Sequence, residues 1–434
     1  ITMIFKIPEG LVIEAVDYSL NSDHLIRDFK RFYRDYELAR SVSYFLDLIN
    51  NTKGKIGITF GLLTYQSLAF MLALIKSRRD YTIFYYQEEN LNYKGMELLC
   101  DHAFLVGLFL HGTEMWPINE HNLPEEIKQR PDFYTRLWSE SVERNIKAHT
   151  GKDNLEIEFS EDQKIYAVYD YANNEELALT AKIEESSVIA AMDNYIDAND
   201  VCLLMRPFKH IGVATLSIYP ALFKAKRIIV CSYKEDWMQV YQHGTNIHLA
   251  YEMIRENWPL PEKARMLTTG GYPFNSDCIK FVTDQCNVEN IIDCYGTKTC
   301  VPPLAIRYLH KDKPYIQPFK WVNKYLQPRN DQGTLTIVSP DLEVQTFDRI
   351  ELHGDMFYFY GSKLKTVRMN HQVWNSDEFL KFFEDKTNIK DIKLHFEEKD
   401  NVPMPFLTIT AKHKDLVFDF ITKNAVEIKL IIND

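Results

Sequence analysis

Four short stretches of this 434-residue chain carry residue types suited to ligand binding. Pro207, Phe208, Lys209 and His210, with Gly212 beyond them, follow the strand-like run Asp200–Arg206 and leave an imidazole at its C-terminal end. Thr268–Thr269–Gly270–Gly271–Tyr272–Pro273 supplies a glycine pair, which lets backbone groups approach a planar ligand with no Cβ in the way. Asp293–Cys294–Tyr295–Gly296–Thr297–Lys298–Thr299 brings an aromatic ring to a strand end, and open α/β sheets bind ligands beyond the C-terminal ends of their strands. Asp348, in Thr346–Phe347–Asp348, offers two acceptor oxygens. Each stretch also has an ordinary reading: a loop histidine, a turn, a core tyrosine, a surface carboxylate. What gives them weight is their order along the chain.

Other chemistries find less support. His102, His111, His121 and His149 lie at wide spacings without a Glu-x-x-His pattern, which argues against a metal site. Thr269–Gly271 lacks the Gly-Lys-Ser/Thr that would make it a P-loop, and no G-x-S-x-G or Cys/His pairing stands out. The seven cysteines have irregular spacings and no CxxC. That pattern reads as free buried thiols in a reducing compartment. A net charge of −11 argues against a nucleic-acid partner, because such binding needs clustered Lys and Arg to displace counterions. The 25 Tyr and 26 Phe are chiefly core material.

Strands and helices alternate along the chain. A polar, Arg-rich helical region, Ser22–Asn50, precedes the strand Ile56–Phe60. Ile56–Ile75 nears the ~20 apolar residues that span a bilayer, but Gly61, Thr64, Gln66 and Ser67 interrupt it. It reads as a strand, then a helix Thr64–Ser77 capped by Thr64. Tyr81–Tyr86, Asp200–Arg206, Arg227–Ser232 and Arg265–Pro273 are further strand regions. Helices are expected at Ile211–Phe223, Ile247–Asn257 and Asp277–Cys286. Continuous apolar strands alternating with helices imply an α/β fold with a mainly parallel sheet. From Pro302 to Arg349 the pattern changes to alternating strands with Pro and Gly punctuation, a β subdomain. The last segment carries a helix, Ser376–Lys386, and three strands. No secretory leader is visible at IFKIPEG, so a cytoplasmic location with no membrane association is expected.

Taken in order, the four stretches resemble the adenylate-forming superfamily of acyl-CoA synthetases, peptide-synthetase adenylation domains and luciferases. Pro207–Gly212 resembles P-x-x-H-x-x-G, Thr268–Pro273 the GGAP loop, and Tyr295–Thr299 YGxTE. Thr346–Asp348 resembles TGD, Gly361–Ser362 GR, Val367–Arg368 IK, and Glu378–Phe379 EI. The resemblance implies a large N-terminal domain over residues 1–361 with a β subdomain. A small, shortened α+β C-terminal module follows over residues 362–434. It further implies that Gly270, Gly271, Tyr272, Pro273, Tyr295, Gly296 and Thr297 border an adenine. Asp348 would then accept from ribose hydroxyls, and His210 would line a carboxylic-acid pocket, with AMP or ATP as the nucleotide.

Several catalytic positions have changed. Tyr169–Lys182 aligns with the phosphate loop TSGTTGxPKG but contains no glycine, and Glu175 and Glu176 add negative charge. A phosphate cradle needs close backbone N–H groups and a positive or neutral potential. The Glu that helps hold Mg²⁺ falls on Thr299, which argues against Mg²⁺, and the Arg of GR falls on Ser362. The hinge Asp falls on Leu364, and the C-terminal catalytic Lys has no counterpart. The expectation is a nucleoside- or acid-binding protein, or an assembly module with a protein partner, in which ATP chemistry has decayed. The alternative is an active carboxylate-activating enzyme with Lys298 or Arg368 as substitute cations. With no need for rotation, the C-terminal module should be docked in one orientation, with Leu364 and Trp374 buried at or near the junction.

Overall fold

A computed structural model describes residues 3–16, 30–51, 53–59, 63–84, 96–100, 107–109, 145–150, 155–168, 175–205, 212–231, 240–255, 264–271, 274–313, 316–369, 372–399, 402–424 and 426–433. Two large sheets organise it. One has six strands, with Lys55–Thr59, Tyr81–Phe84 and Lys164–Val168 parallel at its centre. The other has 13 strands. Its parallel run comprises Val12–Val16, Arg227–Cys231, Val201–Leu204, Asn246–His248, Met266–Gly270 and Asn290–Tyr295. The sheet then turns antiparallel through Ala305–Leu309 and Phe319–Trp321 to Met356–Ser362 and Leu342–His353. The expected α/β class with its β subdomain is what the chain forms.

The membrane-length apolar run folds as the strand Lys55–Thr59 followed by the helix Tyr65–Ser77. Thr64 and Ser67 cap that helix reciprocally, each accepting from the other's backbone N–H, a device worth about 1 kcal/mol. The helix ends at Arg78 in the left-handed region, φ 59°. It is buried on all sides between Tyr65 and Ile75, which explains why its apolar residues do not fall into one stripe. No helix among the described residues is long and apolar enough to cross a membrane.

Three expectations change. Within the helical region expected over Ser22–Asn50, Lys30–Arg34 is a strand paired with Val12–Val16 and the helix begins at Asp35, while 22–29 lie outside the described residues. The helix expected over Ile247–Asn257 begins only at Tyr251, and Asn246–His248 is instead a central strand. Its polar ends disguise it. Asn246 donates to the Asp200 carboxylate at 3.1 Å, and the His248 ring lies 3.0 Å from Thr268 Oγ1. Both residues are therefore buried and satisfied. Earlier in the chain, within the helix expected over Ile211–Phe223, Ala214–Ile218 is a π-helical turn running into the helix Tyr219–Lys224. Nearby carbonyls are taken up locally: Tyr195 Oη donates to Leu216 O at 3.0 Å and Thr215 Oγ1 to Pro302 O at 2.5 Å.

Beyond Gly361 lie a hairpin, Thr366–Met369 with Gln372–Asn375, the helices Ser376–Thr387 and Lys414–Lys423, and a three-stranded sheet. Val367, Trp374, Phe379, Phe382, Phe383, Leu407 and Phe420 form a separate hydrophobic cluster here. Trp374 is buried in that cluster beside Phe382. Leu364 departs from expectation, being 41% exposed. Lys363 N donates to Phe347 O at 2.7 Å and Leu364 N to Ser362 Oγ at 3.2 Å. These bonds hold the turn in a geometry that leaves the leucine side chain in water.

Candidate functional site

Strands Met266–Gly270 and Asn290–Tyr295 run parallel, with Gly270 opposite Cys294. Their C-terminal ends therefore deliver Gly271 and Tyr295 to the same edge of the sheet. Gly270 is required by packing, since a Cβ there would lie 2.5 Å from Cys294 O. Gly271 is required by conformation: its φ is +73°, with open space where a side chain would go. Gly296 is again a packing glycine, with Pro302 N 2.5 Å from its ideal Cβ position. Thr297 closes the following turn, its N–H donating to Cys300 O and its Oγ1 accepting from Cys300 N, both at 2.9 Å.

Asp348 reaches this edge from the strand Leu342–His353, opposite Ser362. Tyr295 Oη donates to Asp348 Oδ2, joining residues 53 positions apart in sequence. Thr346 sets the approach. Its hydroxyl donates to Leu335 O at 2.6 Å and accepts from Asp348 N at 3.2 Å. Burial pushes the Asp348 carboxyl up, against hydrogen bonds from Tyr295 and Ser362 that pull it down. The Tyr295 phenol is pushed well up by burial, and then by the Asp348 charge. The Tyr295 ring packs near Phe319, Phe357 and Phe359, with centroids 5.8, 5.3 and 5.9 Å away. Only 8% of Tyr295 is exposed, so much of its aromatic surface already belongs to the core.

Beneath the edge lies an ion pair buried on both sides. Arg307 Nε donates to Asp293 Oδ2 at 2.8 Å, and the guanidinium lies 4.4 Å from the Phe319 ring centroid. Burial raises the Asp293 carboxyl to about 6, with Arg307 opposing the rise. Asp293 and Arg307 face each other across adjacent strands, so the pair fixes the strand whose last residue is Tyr295. Breaking one half of such a pair leaves an uncompensated buried charge.

The structure thus brings Gly270, Gly271, Tyr295, Gly296, Thr297 and Asp348 to one sheet edge, with Tyr295 and Asp348 in direct contact. His210, Tyr272 and Pro273 lie outside the described residues, as do 169–174 of the segment aligned with the phosphate loop. The rest of that segment forms the strand Glu175–Thr180, paired antiparallel with Lys164–Val168, and then enters a helix. Arg368 adds a feature not foreseen at the glycine pair: its guanidinium donates to Gly271 O. Its place on a strand after the Gly361 turn was legible, but not the hairpin that strand forms or what the side chain reaches. The phenylalanines around Tyr295 were also missed, although Phe357 and Phe359 alternate in MFYFYG. Among the described residues no group of three or more His, Cys, Asp or Glu could hold a metal ion. Six described cysteines are free and buried.

The architecture is that of the adenylate-forming enzymes. The fold is similar to o-succinylbenzoate CoA synthetase (MenE) of Bacillus subtilis, solved with a product analogue, at TM-score 0.61 and 11% identity over 99% of this chain and 92% of that one. It is similar to the amide bond synthetase McbA of Marinactinospora thermotolerans, at TM-score 0.57 and 9% identity over 92% and 90% of the two chains. It is also similar to McyG A-PCP complexed with phenylalanyl-adenylate, at TM-score 0.55 and 12% identity over 97% and 88%. No protein-family model and no curated protein sequence matches the chain.

Proposed function

We propose that this protein binds a nucleoside or nucleoside monophosphate at the edge formed by Gly270, Gly271, Tyr295, Gly296, Thr297 and Asp348. Tyr272 and Pro273 would continue the glycine loop. A carboxylic acid would sit toward His210, and ATP-dependent activation is lost. The observation that carries the reading is the convergence of Asp348 and Tyr295 beside the glycine pair. Asp348 already accepts from Tyr295 and Ser362, and a carboxylate with about four lone-pair sites can still accept from a sugar hydroxyl. The sequence of 169–182, without glycine and with two consecutive glutamates, supports the loss of triphosphate binding. The large domain over residues 1–361 would supply the ligand site and 362–434 would cover it.

The second reading, an active carboxylate-activating enzyme, draws on one observation: Arg368 places a cation at the glycine pair. Two measurements separate the readings. Titration of AMP into the wild-type protein and Asp348→Ala should show binding that the substitution abolishes. Pyrophosphate exchange with a panel of carboxylic acids should stay at background. Exchange above background with any acid supports the enzyme; no AMP binding at all removes the nucleoside site.

A further inference from the structure

We propose that Arg368 is an autoinhibitory latch. It holds the C-terminal module closed over the glycine pair by occupying the Gly271 carbonyl, an acceptor that a ligand's amine would use. The inference rests on the nucleoside reading above. Arg368 belongs to the strand Thr366–Met369, whose partner strand carries the buried Trp374. Its backbone is anchored inside the module, because Glu427 N donates to Arg368 O at 2.9 Å. Its Nε lies 3.9 Å from Glu427 Oε1, and both side chains are 11% exposed. From this base the guanidinium reaches Gly271 O, 97 positions away in sequence.

Two further contacts place the module around the same edge. Val168, the last residue of Lys164–Val168, is buried within the module's hydrophobic cluster. That strand leads directly into the segment aligned with the phosphate loop. Arg349, next to Asp348, pairs with Glu398 of the module at 3.0 Å. The module is therefore held at Gly271, at Val168 and at Arg349 beside Asp348. The latch yields to a ligand that competes for Gly271 O.

The test uses the full chain with AMP as probe and follows affinity together with protease cleavage between Gly361 and Lys365. Arg368→Ala should bind AMP roughly tenfold tighter, as expected for loss of one charge-assisted hydrogen bond from the closed state, and should be cut faster. Glu398→Ala should move both readouts the same way by less. Glu398 is 55% exposed at its side chain, so this variant carries the test if Arg368→Ala fails to fold. Unchanged or weaker AMP affinity in both variants overturns the latch. If no form binds AMP, the nucleoside reading fails, and cleavage decides alone: unaltered rates in both variants overturn the latch, whereas faster rates uphold closure by Arg368.

Discussion

Glu184 offers a test of how the chain tolerates a charge inside its core. It stands in the first turn of the helix Ala181–Asn194, is 3% exposed, and its Oε2 has no hydrogen-bond partner among the described residues. Burial raises its carboxyl from 4.5 to about 8. The helix N-terminus favours a negative charge by only about 0.3–1 kcal/mol, so desolvation wins. Near neutral pH the folded protein keeps a proton here that the unfolded chain has lost. The folded state thus binds more protons between 4.5 and about 8, and stability falls as pH rises through that window, by about 1.4 kcal/mol per unit. The full window gives a ceiling on the order of 5 kcal/mol, which local relaxation should trim to a few. Glu184→Gln keeps the shape and removes the titration. In urea unfolding followed by tryptophan fluorescence, the two proteins should have similar stability near pH 5. The variant should gain roughly 2–4 kcal/mol over the wild type by about pH 8. A wild-type-minus-variant difference that stays flat across this range would refute the reasoning.

Asp200 has the opposite sign. Burial alone would raise its carboxyl, but Arg265, the Asp197 N–H, Asn246 and Thr245 together bring it below 3.8. Its contribution is present above that value and is lost as pH falls toward the folded-state value. Asp200→Ala should therefore destabilise the protein by about 3 kcal/mol at neutral pH and flatten the acid limb of a thermal-melt series. Gly270→Ala and Gly296→Ala, whose new Cβ atoms would meet Cys294 O and Pro302 N at 2.5 Å, should each lose about 1–3 kcal/mol in ligand-free melts. Equal melting temperatures for these variants and the wild type would show that the two glycines are not packing positions.

Much of the fold was legible because its strongest local signals agree. The Thr64 cap, the apolar strand Lys55–Thr59 and the strand Arg227–Cys231 satisfy pattern and burial together. Asn246–His248 was not legible, because a central strand of three residues with polar ends has no period to read. Its burial depends on Asp200 and Thr268, partners distant in sequence. Leu364 failed for a related reason: hydropathy favours burial, but turn hydrogen bonds decide where the side chain points. At the site, Tyr295 stood out by its ring at a strand end, and Asp348 by the resemblance of Thr346–Asp348 to TGD. The reach of Arg368 to Gly271 could not be read, since it depends on how the C-terminal module docks.

The proposed loss of triphosphate recognition is tested most directly by titration calorimetry of AMP and Mg·ATP against the same preparation. Each charge-assisted phosphate hydrogen bond that is missing forgoes roughly 1.5–3 kcal/mol. A site holding the nucleoside through Asp348 and Tyr295, without a glycine cradle at 169–182, gains nothing from added phosphates. Mg·ATP should bind no tighter than AMP, and Asp348→Ala should abolish the AMP signal. Mg·ATP binding at least tenfold tighter than AMP, a gain of about 1.4 kcal/mol, would contradict it.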